Sequence, residues 1–111
     1  MLNSGGSRLE LGMTLSDVLR TLALPCDLKQ IIGRSYVFQG FNRGPIFAGT
    51  ITGLHWPRTR DYALYLTVAE GVICLSVVEK EINDKRVPWQ VREFRQNGRM
   101  DVKYEGDLDL L

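Results

Sequence analysis

The first third of the chain carries one helical pattern of apolar positions. Apolar residues stand at i, i+3, i+4 and i+7, at Leu15, Val18, Leu19 and Leu22. This spacing places them on one side of an α-helix. Thr14 precedes the run and Asp17 follows three residues later, which is the pattern of a capping box. We therefore expect a helix over residues 14–23, and a further short turn over residues 27–32 that ends at Gly33.

From Arg34 onward the pattern changes to short β-branched and aromatic runs separated by turn residues. Six strands are predicted, over residues 35–39, 46–56, 62–68, 72–82, 87–96 and 99–104. Asn97-Gly98 joins the last two, because both residues accept the positive φ of a two-residue hairpin turn. The third strand and the first part of the fourth are apolar almost throughout, so we expect them to be covered on both faces.

Two glycines inside the second predicted strand, Gly49 and Gly53, indicate a bend or a bulge. One helix followed by bent antiparallel strands predicts an α+β fold: an N-terminal helix plus five to six bent antiparallel strands. In architecture alone this layout resembles small barrels of the SH3 or Sm type. The alternative is one curved antiparallel sheet with the helix on its apolar face. Residues 1–7 are interpreted as a flexible lead-in and residues 8–111 as a single globular domain.

Composition supports one folded domain. The chain has 111 residues, of which 44% are hydrophobic and 24% charged, and this apolar content excludes intrinsic disorder. The pattern shows no export signal and no apolar stretch long enough to span a membrane. Cys26 and Cys74 stand far apart and form no Cys-x-x-Cys pair. Two unpaired thiols without an export signal favour a cytoplasmic location.

The side chains exclude several kinds of chemistry. His55 is the single histidine, so metal sites with several histidines are excluded, and no cysteine cluster replaces them. The glycine spacing matches no nucleotide-binding fingerprint. We therefore expect no metal, no cofactor and no catalytic residue. A ligand or enzyme pocket near His55, Trp56 and Tyr62 stays open as an alternative, although His55 beside Trp56 is more typical of a packed rim residue.

The charge distribution is more informative than the net charge of +1. Residues 28–60 contain no acid and five bases, which are Lys29, Arg34, Arg43, Arg58 and Arg60. Arginines interleaved with aromatic residues can bind phosphates and stack on bases. A nucleic-acid-binding barrel would use Arg43, Arg58 and Arg60 for phosphate and Phe41 or Trp56 for stacking. The nearly balanced charge is not typical of a dedicated nucleic-acid binder.

The last five residues, 107–111, alternate aspartate with leucine before a final leucine. Left free, these residues would expose three leucines, so we expect the tail to pack as an extra strand or against a partner subunit. The sequence thus predicts a non-catalytic binding or assembly module that self-associates or binds another protein. Nucleic acid is the alternative partner, and no membrane partner is expected. The candidate surface comprises Phe41, Arg43, His55, Trp56, Arg58 and Arg60.

Overall fold

The strands of this chain close into a barrel. The computed structural model describes residues 9, 12–57, 63–98 and 102–111. Helix α1 (Leu15–Thr21) and a short 3₁₀ turn (Leu28–Gln30) precede six strands, which are β1 (Ser35–Gly40), β2 (Ile46–His55), β3 (Leu64–Val68), β4 (Gly71–Ile82), β5 (Lys85–Gln96) and β6 (Lys103–Leu110). Each strand pairs antiparallel with the next, and β6 pairs with β1. The predicted α+β class and the barrel are confirmed, and an open sheet is excluded. The predicted lead-in lies outside the described residues.

Helix α1 begins and ends on local signals. The Thr14 hydroxyl accepts the N–H of Asp17 at 3.2 Å, and the Asp17 carboxylate accepts the N–H of Thr14 at 3.3 Å. The predicted capping box is therefore present. The helix ends at Thr21, before the predicted end at residue 23. Ala23 takes a left-handed φ of 58°, and the next N–H donates back to the Leu19 carbonyl at 2.8 Å, as in a Schellman motif.

Helix and strands share one core. Its buried side chains include Val18, Leu19, Leu22, Tyr36, Phe38, Phe47, Ile51, Leu64, Leu66, Ile73 and Phe94. The rings of Phe47 and Phe94 stack at its centre with 3.9 Å between their centroids. The predicted apolar face of α1 supplies three of these residues, so the helix packs against the same core that the strands enclose.

The expectation that β3 and the first part of β4 are covered on both faces is wrong for β3, whereas in β4 the successive residues Ile73, Cys74 and Leu75 are all buried. In β3, Leu64, Leu66 and Val68 are buried, whereas Tyr65 is half-buried and Thr67 is exposed. A closed barrel has a packed inside and a solvated outside, so alternate residues face water even in an apolar strand.

Strand β2 bends where its glycines predict. Its first half pairs with β1 as far as Thr50, and its second half pairs with β3 from Ile51 onward. The register shifts between Ile51 and Gly53, which leaves Thr52 as the extra residue of a bulge. The Thr52 hydroxyl donates to a β3 carbonyl at 3.1 Å. The bulge lets one strand serve two sides of the barrel.

The last hairpin differs from its prediction. Strand β6 covers 103–110 instead of 99–104, and residues 99–101 lie outside the described residues. Gly98 has the expected positive φ of 73°. However, the N–H of Asn97 donates to the Glu70 carbonyl at 2.8 Å, so Asn97 extends the pairing of β5 with β4. Asn97-Gly98 is therefore not a two-residue turn between β5 and β6.

Two-residue turns with positive φ lie elsewhere in the described chain: Asn42 and Arg43, with φ of 56° and 62°, join β1 to β2, and a second such turn joins β4 to β5. Asn83 and Asp84 have φ of 51° and 64° and join the facing pair Ile82 and Lys85, which is the geometry of a type I′ turn. The two strands pair along their full 12-residue lengths. Among the described residues, only 71–75 of β4 also pair with β3, and only 93–95 of β5 also pair with β6. Residues 76–91 thus form a two-stranded extension, here called the ribbon.

Candidate interaction surfaces

The predicted site residues lie at two different places. Phe41 and Arg43 belong to the tight turn between β1 and β2, in which the N–H of Gly44 donates to the Phe41 carbonyl at 3.0 Å. His55 and Trp56 lie at the opposite end of the ten-residue strand β2. The structure therefore brings these residues together in two pairs and does not place them on one surface.

The remaining predicted residues, Arg58, Arg60 and Tyr62, lie outside the described residues. Their roles, and with them the three-arginine phosphate surface and the ligand pocket, stay predictions. His55 is exposed, whereas Trp56 is half-buried and packs against the core. In the part of the chain that the structure describes, no group of three or more His, Cys, Asp or Glu side chains is placed to hold a metal ion.

Arginines of β5 are paired with acids. The ion pairs join Arg86 to Glu79 at 3.0 Å, Arg92 to Asp107 at 3.4 Å and Arg95 to Glu93 at 2.8 Å. The hydrogen bond to Glu93 raises the pKa of Arg95 above its ordinary value. All three arginines of β5 therefore have acid partners within the same chain.

The outer side of the ribbon is an exposed apolar surface that sequence reasoning missed. This surface, here called the ribbon face, consists of Ser76, Val78, Lys80, Ile82, Lys85, Val87, Trp89 and Val91. Val78 lies directly opposite Trp89 in the ladder, and their exposed fractions are 43% and 38%, while that of Ile82 is 37%. The Lys80 ammonium lies 4.3 Å from the centroid of the Trp89 ring. The alternating pattern was visible in the sequence, but which side of these two strands faces outward is set by the closure of the barrel.

A second surface lies on the outside of β6, β1 and β2. This surface, here called the acidic face, consists of Glu105, Asp107, Asp109, Leu111, Val37, Ile46 and Ala48. The register sets Asp107 beside Gln39 and Ile46, and Asp109 beside Val37 and Ala48. Ile46 and Leu111 are 64% and 68% exposed. The predicted tail is thus a strand of the barrel whose leucines at 108 and 110 face inward and whose acids face outward.

The edges of the ribbon are poorly suited to pairing with another strand. In an antiparallel ladder, the main-chain groups of successive residues point alternately toward the partner strand and away from it. The N–H of Asn97 points toward β4, so the main-chain groups of Pro88 and Gln90, an odd number of residues away, point away from β4. Proline has no N–H to donate, which blunts the β5 edge. On the β4 edge the corresponding residues include Glu79 and Glu81, and their charges repel a second copy of the same edge.

A groove of about 360 Å³ lies where β5 separates from β6. The end of α1 forms one wall, and Gln90, Arg92 and the last residues of β6 form the other. Arg92 bonds to Asp107 across this region, and the Arg34 guanidinium donates to the Leu111 carbonyl at 2.9 Å. Both arginines of the groove, Arg34 and Arg92, therefore already donate to oxygen atoms of the same chain.

Comparisons of the chain with protein-family models, with curated proteins and with solved structures find no match. Among the described helices, none combines the length and the apolar character that crossing a membrane requires.

Proposed function

We propose that this domain is a non-catalytic protein-interaction module whose docking surface is the ribbon face. The observation that carries the proposal is the exposure of Val78 and the facing Trp89, which the half-buried Val87 connects to the exposed Ile82, on a ribbon that extends beyond the neighbouring strands. Exposed apolar side chains that adjoin one another are typical of protein-binding sites. Tryptophan is also among the residues that contribute most to binding at the centres of interfaces.

The rigidity of the ribbon supports the same proposal. A full ladder and a type I′ turn hold the two strands, and the cation–π contact with Lys80 orients the Trp89 ring. A partner would therefore meet a preformed surface and would lose little conformational entropy in ordering it.

The proposal is tested by photo-crosslinking in cells that produce the protein. A photoreactive phenylalanine analogue replaces Val87 on the ribbon face or, as the matched control, the exposed Ser16 of α1. We expect a discrete protein adduct from position 87 alone. The adduct partner is then purified, and its affinity for the intact chain is measured directly.

In that binding assay, Val78→Asp should weaken the affinity at least about 10-fold, because it places a charge in the desolvated centre of the interface. Ser16→Asp should leave the affinity unchanged. Equal adduct formation from positions 87 and 16 would overturn the proposal. An affinity that Val78→Asp leaves unchanged would also overturn it.

The nucleic-acid alternative leads to a different expectation. If Arg43, Arg58 and Arg60 bind phosphate, the affinity for mixed single-stranded RNA falls with salt, by a log–log slope of roughly 0.7 for each contact. We expect no binding at low salt. Binding that disappears when all three arginines are changed to glutamate would replace the proposed function with the nucleic-acid one.

A further inference from the structure

We infer that the ribbon face binds a second copy of this chain head to tail, by packing on the acidic face of that copy. The inference rests on the proposed function and names the partner. Each copy carries both faces, one on β4 and β5 and the other on β6, β1 and β2, so each copy can bind one neighbour through each face. An interface between two different patches is heterologous and builds a row or a ring of subunits.

The charges of the two faces are complementary. The ribbon face contains two lysines, Lys80 and Lys85, and no acid, whereas the acidic face contains Glu105, Asp107 and Asp109. Asp107 is already paired with Arg92 at 3.4 Å, so Glu105 and Asp109 are the acids left to attract the lysines of another copy. Lys80 and Lys85 lie on neighbouring strands, two rows of the ladder apart, and the three acids occupy alternate positions of one strand. Two-residue steps along a strand measure about 7 Å, which is the offset of the two lysines along their strands and the offset of each acid from the next.

The apolar parts of the two faces are also complementary. The ribbon face projects a large ring at Trp89, while the acidic face offers the small side chains of Val37 and Ala48 beside the exposed Ile46. Both faces extend over six residues of strand, or about 20 Å. Sheets that stack face to face approach to about 10 Å, and at that distance a tryptophan ring needs small side chains opposite it.

Symmetric pairing of the ribbon is disfavoured. Two ribbon faces stacked in parallel would bring Lys80 and Lys85 of one copy against the same lysines of the other, and in either direction of stacking these lysines meet no acid on the facing ribbon face. Edge-to-edge pairing meets Pro88 on one edge and Glu79 and Glu81 on the other. The acidic face, in contrast, offers the ribbon face both apolar contact and opposite charge.

The size of the two faces sets the expected strength of the association between copies. Each is two or three strands wide and about 20 Å long, which is small beside the surfaces that stable dimers bury. We therefore expect reversible association with a dissociation constant in the micromolar range or weaker, and an association that weakens as salt screens the charges.

A charge-swap experiment tests this pairing by sedimentation equilibrium from about 5 to about 500 μM, a range that brackets micromolar affinities. The first variant carries Lys80→Glu and Lys85→Glu. The second carries Glu105→Lys and Asp109→Lys, which leaves the ion pair between Arg92 and Asp107 in place. Each variant should associate at least about 10-fold more weakly than the unmodified chain, because like charges now face each other.

A third variant that carries all four substitutions should recover association to within about threefold of the unmodified chain, since opposite charges face each other again. Lys29→Glu, on the exposed 3₁₀ turn, is the control and should change nothing. Circular dichroism checks that every variant keeps the fold, as exposed charges should allow.

Each outcome decides the inference. Recovery in the fourfold variant supports head-to-tail packing. Undiminished association of the second variant would show that the acidic face is not the partner surface and would overturn the inference. An unmodified chain that stays monomeric up to the highest concentration would also overturn it. The crosslinking at Val87 distinguishes that result from failure of the proposed function, because an adduct with a different protein would leave the ribbon face as the docking surface.

Discussion

Gly106 on β6 lies so close to Gln39 on β1 that a Cβ atom at position 106 would overlap the Gln39 carbonyl oxygen. Gly106 also stands directly opposite Gly40 in the ladder that closes the barrel. Two main chains meet here without a side chain between them. The ladder between β6 and β1, which closes the barrel, therefore requires glycine at position 106. The sequence alone shows only a short acidic tail there.

The first prediction concerns this contact. Gly106→Ala should lower the free energy of unfolding by about 1–3 kcal/mol, because the added methyl group forces the two main chains apart. Gly53→Ala is the control, since a Cβ there would lie at an ordinary 3.6 Å from Thr67. Urea denaturation should place the alanine variant at Gly53 close to the unmodified chain. Equal losses for the two variants would contradict the close approach at Gly106.

The second prediction concerns the end of α1. Ala23 holds a φ of 58° at the position where glycine is preferred after a helix. Ala23→Gly should therefore stabilise the domain by about 0.5–1 kcal/mol and raise its Tm. Ala48→Gly, in the middle of β2, should destabilise it by a similar amount, because glycine there only adds freedom to the unfolded chain. A loss of stability from both substitutions would show that Ala23 is not in the left-handed conformation.

The third prediction concerns the tail. The sequence predicts that the tail packs as an extra strand or against a partner subunit, so that deleting residues 105–111 would shift an assembly toward monomer or make the chain aggregate. The structure makes these residues most of β6, which pairs with β1 and supplies Leu108 and Leu110 to the core. Deletion should therefore abolish cooperative unfolding and the dispersed amide signals of a folded chain in NMR spectra. Deletion of Leu111 alone is the control and should leave both in place, and a folded product of the longer deletion would contradict barrel closure by β6.

The fourth prediction is a pH dependence at the start of α1. The hydrogen bond from the Thr14 hydroxyl at 2.9 Å, with smaller help from Arg20, holds the pKa of Asp17 below its ordinary value. A carboxyl whose pKa is lower in the folded chain stabilises the fold above its unfolded pKa and loses this effect as pH falls through the folded value. NMR titration of the Asp17 carboxyl should show the lowered pKa, and Thr14→Ala should move it back upward. An unchanged pKa in that variant would contradict the capping box.

Five of the six strands could be predicted closely from the sequence, because turn residues and the alternation of side chains are local properties. The bend of β2 could also be predicted, since glycines in a strand leave few alternatives to a bulge or a bend. Strand β6 was misplaced because Asn97-Gly98 carries a strong local hairpin signal, whereas the strand that closes the barrel is selected by its distant partner β1.

The candidate surfaces also divide into features that local sequence predicts and features that distant strand pairing decides. Phe41 and Arg43 are near His55 and Trp56 in an acid-free segment of the sequence, yet a ten-residue strand separates the two pairs. The ribbon face was not predicted because the closure of the barrel decides which side of β4 and β5 faces outward, and the distant pairings decide where the ribbon begins. No local pattern states that β3 pairs with β4 only as far as Leu75 or that β6 leaves β5 after Glu93.

By itself, the sequence determined the helix with its capping box, the run of short strands, the bend at Gly53 and the absence of a multi-histidine site. These features depend on residues within a few positions of one another, where backbone preference and side-chain periodicity act directly. Only the tertiary structure decided the closure of the barrel by β6, the extension of the ribbon beyond the barrel and the placement of the ribbon face and the acidic face on different strands. Those features depend on which distant strands pair and where each pairing stops, because main-chain hydrogen bonds and packing across the core are made between residues far apart in the chain.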